Sequence, residues 1–578
     1  MAVDLTVGID VGMSGTGVAS RQHKTGDAKC DVICLEWGVD NNMPKVPTKL
    51  AYARTGQSQS PLHWGSSIPN NTTNLSIKEW FKADFGGNDS DHTAAEKLYT
   101  DYLKYLHDEL SQRFVRDGIL GKAWEHANIA FVFSTPACWE PAEVARFKTL
   151  ICKAGFEKAQ SKRLGRGVHT AEITMTEPQA TAAFELCTPK PVANLRRGHN
   201  AMIVDVGAGT GDFSLVQVAT NAQEAFHWRE HQPAMGRHIG SSYIDHGFEV
   251  GLTDILKPHQ HLLGHNACHV AWEMRSSTAF LEAKHKFRGA NANTQAIPVL
   301  HLENPDSIHD DFVQNGKLVN PGTELEPLFD QQIEKITKCI SERDYLLLSG
   351  GLGSSPYVKC QLEKFCDNDS KLKSARLVVS QEPQLAVCMG LVYAASSNQA
   401  VFPTIACRAW FSLVSRIPSA APANRTWISI LTRGKGIESR FNDCVDWIIP
   451  KGKQIQNGNE LEFERKVFFE PDECRVCNIE IVCSLAGWPP AVQRLGEFIA
   501  THQVMRADLL EADVKKKRKV FWRKAYFLQV EFKVKATIGL AEAHFQCVDA
   551  RGKKISEPIT VPVPREPPIM SLDGVEEE

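Results

Sequence analysis

Residues 205–212 read Asp205-Val206-Gly207-Ala208-Gly209-Thr210-Gly211-Asp212. An apolar run, AMIV (201–204), leads into this glycine-rich turn, and FSLVQV (213–218) leaves it. The alternation and Val/Phe content of the exit segment predict a second strand rather than a helix. A strand–Gly turn–strand unit aims backbone N–H groups at an anion, and glycine lets the backbone approach it closely. The flanking carboxylates are then placed to hold a hydrated Mg²⁺ and to orient water.

The same string matches the Gly-rich loop of S-adenosylmethionine-dependent methyltransferases, where a strand turns into a helix; the predicted second strand argues for a phosphate-binding hairpin of the actin-like ATPase kind instead. A counterpart stands about 195 residues earlier, in Gly8-Ile9-Asp10-Val11-Gly12-Met13-Ser14-Gly15-Thr16-Gly17. Two such loops can grip a triphosphate from opposite sides of a cleft, and their spacing predicts an internally duplicated α/β architecture. A third turn, Leu348-Ser349-Gly350-Gly351-Leu352-Gly353-Ser354-Ser355-Pro356-Tyr357, follows the apolar run YLLLS (345–349) and leads into a helix near Ser354–Pro356. Its glycines leave bare backbone for an adenosine to lie against.

Composition sets the frame for these motifs. At 578 residues the chain exceeds one core at about 150 residues per domain. Its 43% hydrophobic and 23% charged residues are those of an ordinary soluble protein, and a net charge of −3 gives no global pull toward nucleic acid or membrane. MAVDLTVGID reads as a first strand rather than a signal peptide. No apolar run reaches the roughly 20 residues of a bilayer span. The 16 cysteines have no repeated frame and read as reduced thiols. The one close pair, Cys474/Cys477, lacks a second half for zinc. The sequon at Asn71–Thr73 carries no weight without export. The cytoplasm is the expected location, with the nucleus as the alternative.

Along the chain, IAFVFST (129–135) predicts a buried strand closed by Pro136, EPAEVARFKTLICKAGF (140–156) a helix stopped at Gly155, and 385–396 a packed helix. Near residue 400, before a Pro/Ala-rich stretch (417–426), the pattern changes to strand-like runs such as RVCNIEIVCSL and YFLQVEFKVKATIGL. The basic run 515–519 reads as a solvated turn, with a nuclear localisation signal as the alternative. His261, His265 and His269 recur every four residues, but Gly264 weakens a helix there, and polar surface is the expectation. The predicted units are 1–400, a mainly β region 401–565 and an acidic tail 566–578.

The order of the motifs resembles the seventy-kilodalton heat-shock protein (DnaK-like) family of the actin/hexokinase superfamily. The carriers are Asp10–Gly17, the Pro switch Ser134-Thr135-Pro136-Ala137, Thr176-Glu177-Pro178-Gln179-Ala180-Thr181-Ala182-Ala183, Asp205–Asp212, Gly350–Pro356, and Glu382-Pro383-Gln384-Leu385-Ala386-Val387 with Gly390. The resemblance spans about residues 5–395 and is closer to divergent members without the standard chaperone C-terminus. It implies a duplicated actin-like (ribonuclease H-like) fold with two lobes, binding ATP/ADP and Mg²⁺. The β region would be a divergent substrate-binding sandwich, Trp447–Gly452 resembling its early strand-turn. Protein or peptide clients and co-chaperones are the implied partners, with neither nucleic acid nor membrane.

The resemblance also assigns roles. Asp10 and Asp205 match acids that hold Mg²⁺, mostly through water. Glu177 matches the acid near the catalytic water, Thr210 a hydroxyl near the γ-phosphate, and Asp212 a further loop carboxylate. Gly12, Met13, Ser14, Gly207, Ala208, Gly209, Gly350, Gly351, Leu352 and Ser354 fall in nucleotide-contacting turns. Glu282, Lys284 and His285 lie in EAKHKF, similar to a helix flanking the adenine. Two departures stand out. Met13 and Ser14 replace a pair of threonines, and no lysine follows Gly65 in GSSIPNNTTN, leaving Lys78 and Lys82 as candidates to reach the phosphates. Slow ATP hydrolysis coupled to protein binding is the leading expectation and nucleotide-gated binding without turnover the second; a sugar kinase and a methyltransferase rank behind them.

Overall fold

In a computed structural model of the protein, the two glycine-turn segments are antiparallel hairpins with matching register. Asp10 faces Gly17 and Val11 faces Thr16; Asp205 faces Asp212 and Val206 faces Gly211. The structure describes residues 2–563 apart from 24–30, 39–42, 55–59, 70–73, 86–91, 158–166, 190, 221–225, 291, 293–295, 305–306, 309, 341–343, 398–399, 419–426, 429–440, 457–458, 486–498, 519–525 and 540–541. Most of the Pro/Ala-rich stretch, the sequon at 71–73, Lys519 and the acidic tail lie outside the described residues.

The first half runs β1 (Leu5–Val11), β2 (Gly15–Gln22), β3 (Ile33–Cys34), β4 (Val46–Pro47), β5 (Lys49–Ala53), β6 (His63–Trp64), β7 (Leu75–Glu79), α1 (Phe81–Phe85), α2 (His92–Arg116), β8 (Ile129–Thr135), α3 (Pro141–Lys153), β9 (His169–Thr176) and α4 (Glu177–Cys187). The second runs β10 (Asn200–Val206), β11 (Gly211–Thr220), β12 (Phe226–Glu230), β13 (Met235–Arg237), α5 (Ser241–Leu256), α6 (Ala267–Arg275), α7 (Thr278–His285), β14 (Val313–Gln314), β15 (Lys317–Leu318), α8 (Pro321–Thr337), β16 (Tyr345–Ser349), α9 (Pro356–Asn368), β17 (Arg376–Val379) and α10 (Ala386–Ala395).

Each half builds one mixed sheet of the same pattern. The orders are β3-β2-β1-β8-β9 and β12-β11-β10-β16-β17, with β4 beside β2 and β13 beside β11. In both, the hairpin is antiparallel and the next two pairings are parallel. The central strands are buried along their whole length, which explains their near-continuous apolar runs. An aspartate at the end of such a strand is costly to bury without a partner or an ion. Two helices lie between the sheets. α4 and α10 cross so closely that a Cβ on Gly390 would stand 1.8 Å from the Ala180 carbonyl oxygen. Only glycine permits that approach.

Among the described residues 31% are helical and 36% in strands, and the two are not evenly spread. From β18 (Thr404–Ala406) to β29 (Ile559–Pro562) the described elements are all strands. β19 (Trp410–Pro418) and β24 (Val476–Ser484) belong to one sheet, β27 (Tyr526–Ile538) and β28 (Glu542–Asp549) to a second. Phe411, Leu413 and Ile481 from the first share a core with Phe532, Val534 and Phe545 from the second, the packing of a β-sandwich. The basic run is a strand rather than the expected turn: Val514–Arg518 pairs antiparallel with Tyr526–Val530 of β27. Lys515 meets Glu531 at 2.7 Å and Lys516 lies over the Tyr526 ring. Charge on such a strand masks its pattern and blunts a sheet edge against further pairing. Among the described residues no helix is long and apolar enough to cross a membrane.

Candidate functional site

The hairpin turns and the Gly350 turn open into one cleft of about 2180 Å³. They do so because β1, β9, β10 and β16 each bring their carboxyl ends to it, with Asp10, Glu177, Asp205 and Gly350 in its lining, where ligands of open α/β sheets gather. Asp10, Gly12, Met13 and Ser14 line one wall, and Asp205, Gly207, Ala208, Gly209 and Thr210 the facing one. Glu177, at the start of α4, also lines it, as do Lys284, His285 and the turn residues Gly350, Gly351, Leu352 and Ser354, Gly350 lying against the Asp205 carboxylate. Gly350 has φ +80, and a Cβ there would stand 2.3 Å from the Val206 carbonyl oxygen. The glycine is thus a backbone requirement of the turn.

Two residues assigned to the nucleotide lie outside the lining. Asp212 is buried behind its loop and accepts the Ala137 N–H at 2.6 Å, tying the Pro136 switch to the second hairpin. Glu282 pairs with Lys286 at 2.9 Å, and the neighbouring Leu281 faces the cleft in its place.

Two lysines pair directly with the candidate acids of the cleft. Lys82 on α1 donates to Glu177 Oε1 at 2.7 Å and to the Val11 carbonyl at 2.9 Å. Lys45, which the sequence reading did not single out, donates to Asp10 Oδ2 at 2.7 Å. Lys78 is exposed on β7 and does not line the cleft. The stretch after Gly65 is lysine-free, yet Lys45 and Lys82 bring ammonium groups to the cleft carboxylates from elsewhere in the chain. Lys45 arrives through pairing of Val46 with Thr16 across β4 and β2, a contact no local pattern announces.

Burial pushes Glu177 up to about 8, with Asp212 and Asp10 adding and Lys82 opposing. Burial likewise pushes Asp205 up to about 7, helped by Asp212 and Asp10 and opposed by Lys45 and by the Thr181 hydroxyl. Burial works against charge on Lys45, but Asp10 outweighs it and holds the ammonium above its ordinary value. The same balance against burial, dominated by Glu177, raises Lys82. Crowded carboxylates at such values favour an incoming cation.

Among the described residues no three His, Cys, Asp or Glu side chains stand together as a direct metal-binding set. The donors fit Mg²⁺ all the same. That ion needs only one or two hard carboxylates besides water and phosphate oxygens, and Asp10 and Asp205 are hard carboxylates in the cleft lining. His265, His269 and His301 gather around Glu273 at the surface, with His269 Nε2 3.4 Å from its carboxylate; α6 starts only at Ala267, so His261, His265 and His269 do not share a helical face.

Met13 spans the two hairpins. A Cβ on Gly209 would stand 2.0 Å from Met13 Sδ, and that sulfur reaches Ser242 Oγ at 4.0 Å. At the cleft's rim, Arg275 of α6 ion-pairs with Glu79 of β7 and, at 2.9 Å, with Glu249 of α5. Its guanidinium lies 4.3 Å from the centroid of Trp80, a non-glycine residue at φ +60. Such strain persists where the surroundings over-determine it.

A buried polar chain starts at α4. Gln179 takes the Thr176 N–H at 3.0 Å and donates to Glu230 Oε1 at 3.1 Å. Glu230 Oε2 accepts from Ala406 N at 3.2 Å, and its carbonyl accepts from Gln454. α4 is thereby tied to the first strands of the β-sandwich half. A scan against protein-family models and a search of the curated proteins found no match to this chain.

Proposed function

We propose that this is an ATP-binding, chaperone-like protein of the DnaK-like heat-shock class, with the duplicated actin-like fold over 1–400 and a divergent substrate-binding sandwich over 401–565. One observation carries the reading. Two hairpins of identical register present Asp10 and Asp205 from opposite walls of one cleft, with Glu177 in the same lining. Phosphates would lie between the loops, against backbone N–H groups and the ammonium groups of Lys45 and Lys82. Asp10 and Asp205 would hold Mg²⁺ mostly through water, which supplies charge neutralisation on the phosphates. Glu177 orients the attacking water and takes its proton, while the Gly350 turn and Lys284 seat the nucleoside. The relay from Gln179 through Glu230 to Ala406 offers nucleotide state a route to a protein or peptide on the β half.

A second reading is nucleotide-gated binding with little or no turnover. Met13 favours it, because its thioether occupies the space between the phosphate loops where a hydroxyl would assist chemistry. Calorimetry with ATP and Mg²⁺ beside a phosphate-release assay separates the two. Binding in the wild type, lost in Asp10→Ala and Asp205→Ala, supports both; slow release of phosphate selects the first. Absence of ATP binding by the wild type would sink the proposal.

A further inference from the structure

Near Asp10, on the face of β2 that also carries Lys45, two cysteines share one cluster. Cys388 projects from the first turn of α10 and is fully buried, while Cys34 sits half-buried on the two-residue strand β3. Both pack in one small apolar cluster with Ala19, Leu385 and Val392: Cys34 faces Ala19 across the β2–β3 pairing, and the Cys388 sulfur, whose thiol donates to the Leu385 carbonyl at 3.2 Å, lies over Gly17 two residues along the same strand. Both are free thiols here. Their sequence separation is large, so the pairing is a product of the fold.

We propose that Cys34 and Cys388 are a dithiol that peroxide converts to a reversible disulfide. The two positions differ in a way that orders the chemistry. Cys34 lies at the sheet edge and is reached first, whereas Cys388 is shielded and acts on what forms there. Burial, with Cys34 adding, keeps the Cys388 thiol protonated well above the usual range, which makes it the second partner. The Cys34 sulfur attacks one peroxide oxygen, the O–O bond breaks, and water leaves a sulfenic acid. The Cys388 sulfur then attacks the Cys34 sulfur, the S–O bond breaks, and the departing hydroxide takes the Cys388 proton as water. Two thiols and one hydrogen peroxide yield one disulfide and two waters.

Forming a bond of about 2.05 Å between the two sulfurs draws α10 toward β3. The cleft adjoins both ends of that movement. The Cys388 sulfur lies 3.2 Å and Lys45 Cε 3.3 Å from the same point, the Cβ direction of Gly17, and Lys45 holds Asp10. Just before α10, the Pro383 carbonyl accepts the Gly350 N–H at 2.8 Å.

The test treats the folded full-length chain with hydrogen peroxide, quenches, alkylates remaining thiols and maps peptides by mass spectrometry with and without dithiothreitol. A Cys34–Cys388 linked peptide, two hydrogens lighter than its parts, released by dithiothreitol and absent from both Cys34→Ser and Cys388→Ser, is the expected result. Both thiols alkylated after peroxide, Cys34 linked to another cysteine such as Cys30, or Cys34 carried to an irreducible acid would each overturn it. The readout needs no nucleotide, so it stands or falls apart from ATP binding. Near-native circular dichroism of the serine variants secures the comparison.

Discussion

Lys82 Nζ lies 2.7 Å from Glu177 Oε1 across 95 residues of sequence, inside a cleft where both side chains are nearly closed off from water. Breaking a buried pair of this kind is strongly destabilising, and loss of Lys82 leaves the buried Glu177 carboxyl, which burial holds protonated, without its partner. Replacing Lys82 with alanine should therefore both destabilise the fold, by about 3 kcal/mol, and strip positive charge from the phosphate path. Single-turnover phosphate release should fall roughly a hundredfold, the scale of a removed catalytic donor. Glu177→Gln/Lys82→Met, which removes both charges, should recover the melting temperature but not the turnover.

The protonation of Glu177 gives a pH signature. Its folded value of about 8 stands above the ordinary 4.5, so the folded chain keeps a proton that the unfolded chain has released. The sign follows directly: this stability is full below about 4.5 and drains away as pH rises toward and through about 8. Thermal unfolding between about pH 5 and about pH 9 should show the decline, and Glu177→Gln should make it shallower, the remainder coming from Asp205, raised to about 7.

Met13 and Gly209 should prove energetically coupled. Alanine at 209 places its Cβ where the Met13 sulfur now lies. Gly209→Ala should weaken ATP binding, and Met13→Ala in the same chain should restore part of it. A double-mutant cycle by calorimetry should give a coupling of about 1 kcal/mol; strict additivity would refute the contact as a determinant.

The rim contacts of Arg275 should govern release. Removing the guanidinium leaves Glu79 to Lys49 alone and frees Glu249 and the strained Trp80 together. Arg275→Ala should speed dissociation of a fluorescent ATP analogue about tenfold in stopped flow, while association changes little. Equal rates in variant and wild type would assign the latch to stability alone.

Much of this arrangement could be read from the chain. The hairpin at 205–212, the strand at 129–135, the helix after Pro136 and the turn at Gly350 announce themselves through local chemistry: buried apolar runs, glycine turns and proline stops. The second strand after Gly211 follows from its alternation, and it is present as β11. What escaped is set by distant pairing. Lys45 gains its place from Thr16, and Arg275 meets Glu79 over 196 residues. Leu281 rather than Glu282 faces inward because helix phase, not residue type, decides which side chain turns to the cleft. The strand at 514–518 was hidden by its own charge.

The contact between Ala180 and Gly390 carries a mechanical consequence. Two sheets that touch through bare backbone at one helix crossing have a fulcrum there, with almost no slack for sliding. Rotation of one half against the other would then multiply with distance: tenths of an ångström beside Glu177, three residues from the fulcrum, become ångströms at Trp80 and Arg275. A side chain at position 390 would wedge that joint open, and its cost would be felt at the mouth rather than at the wedge.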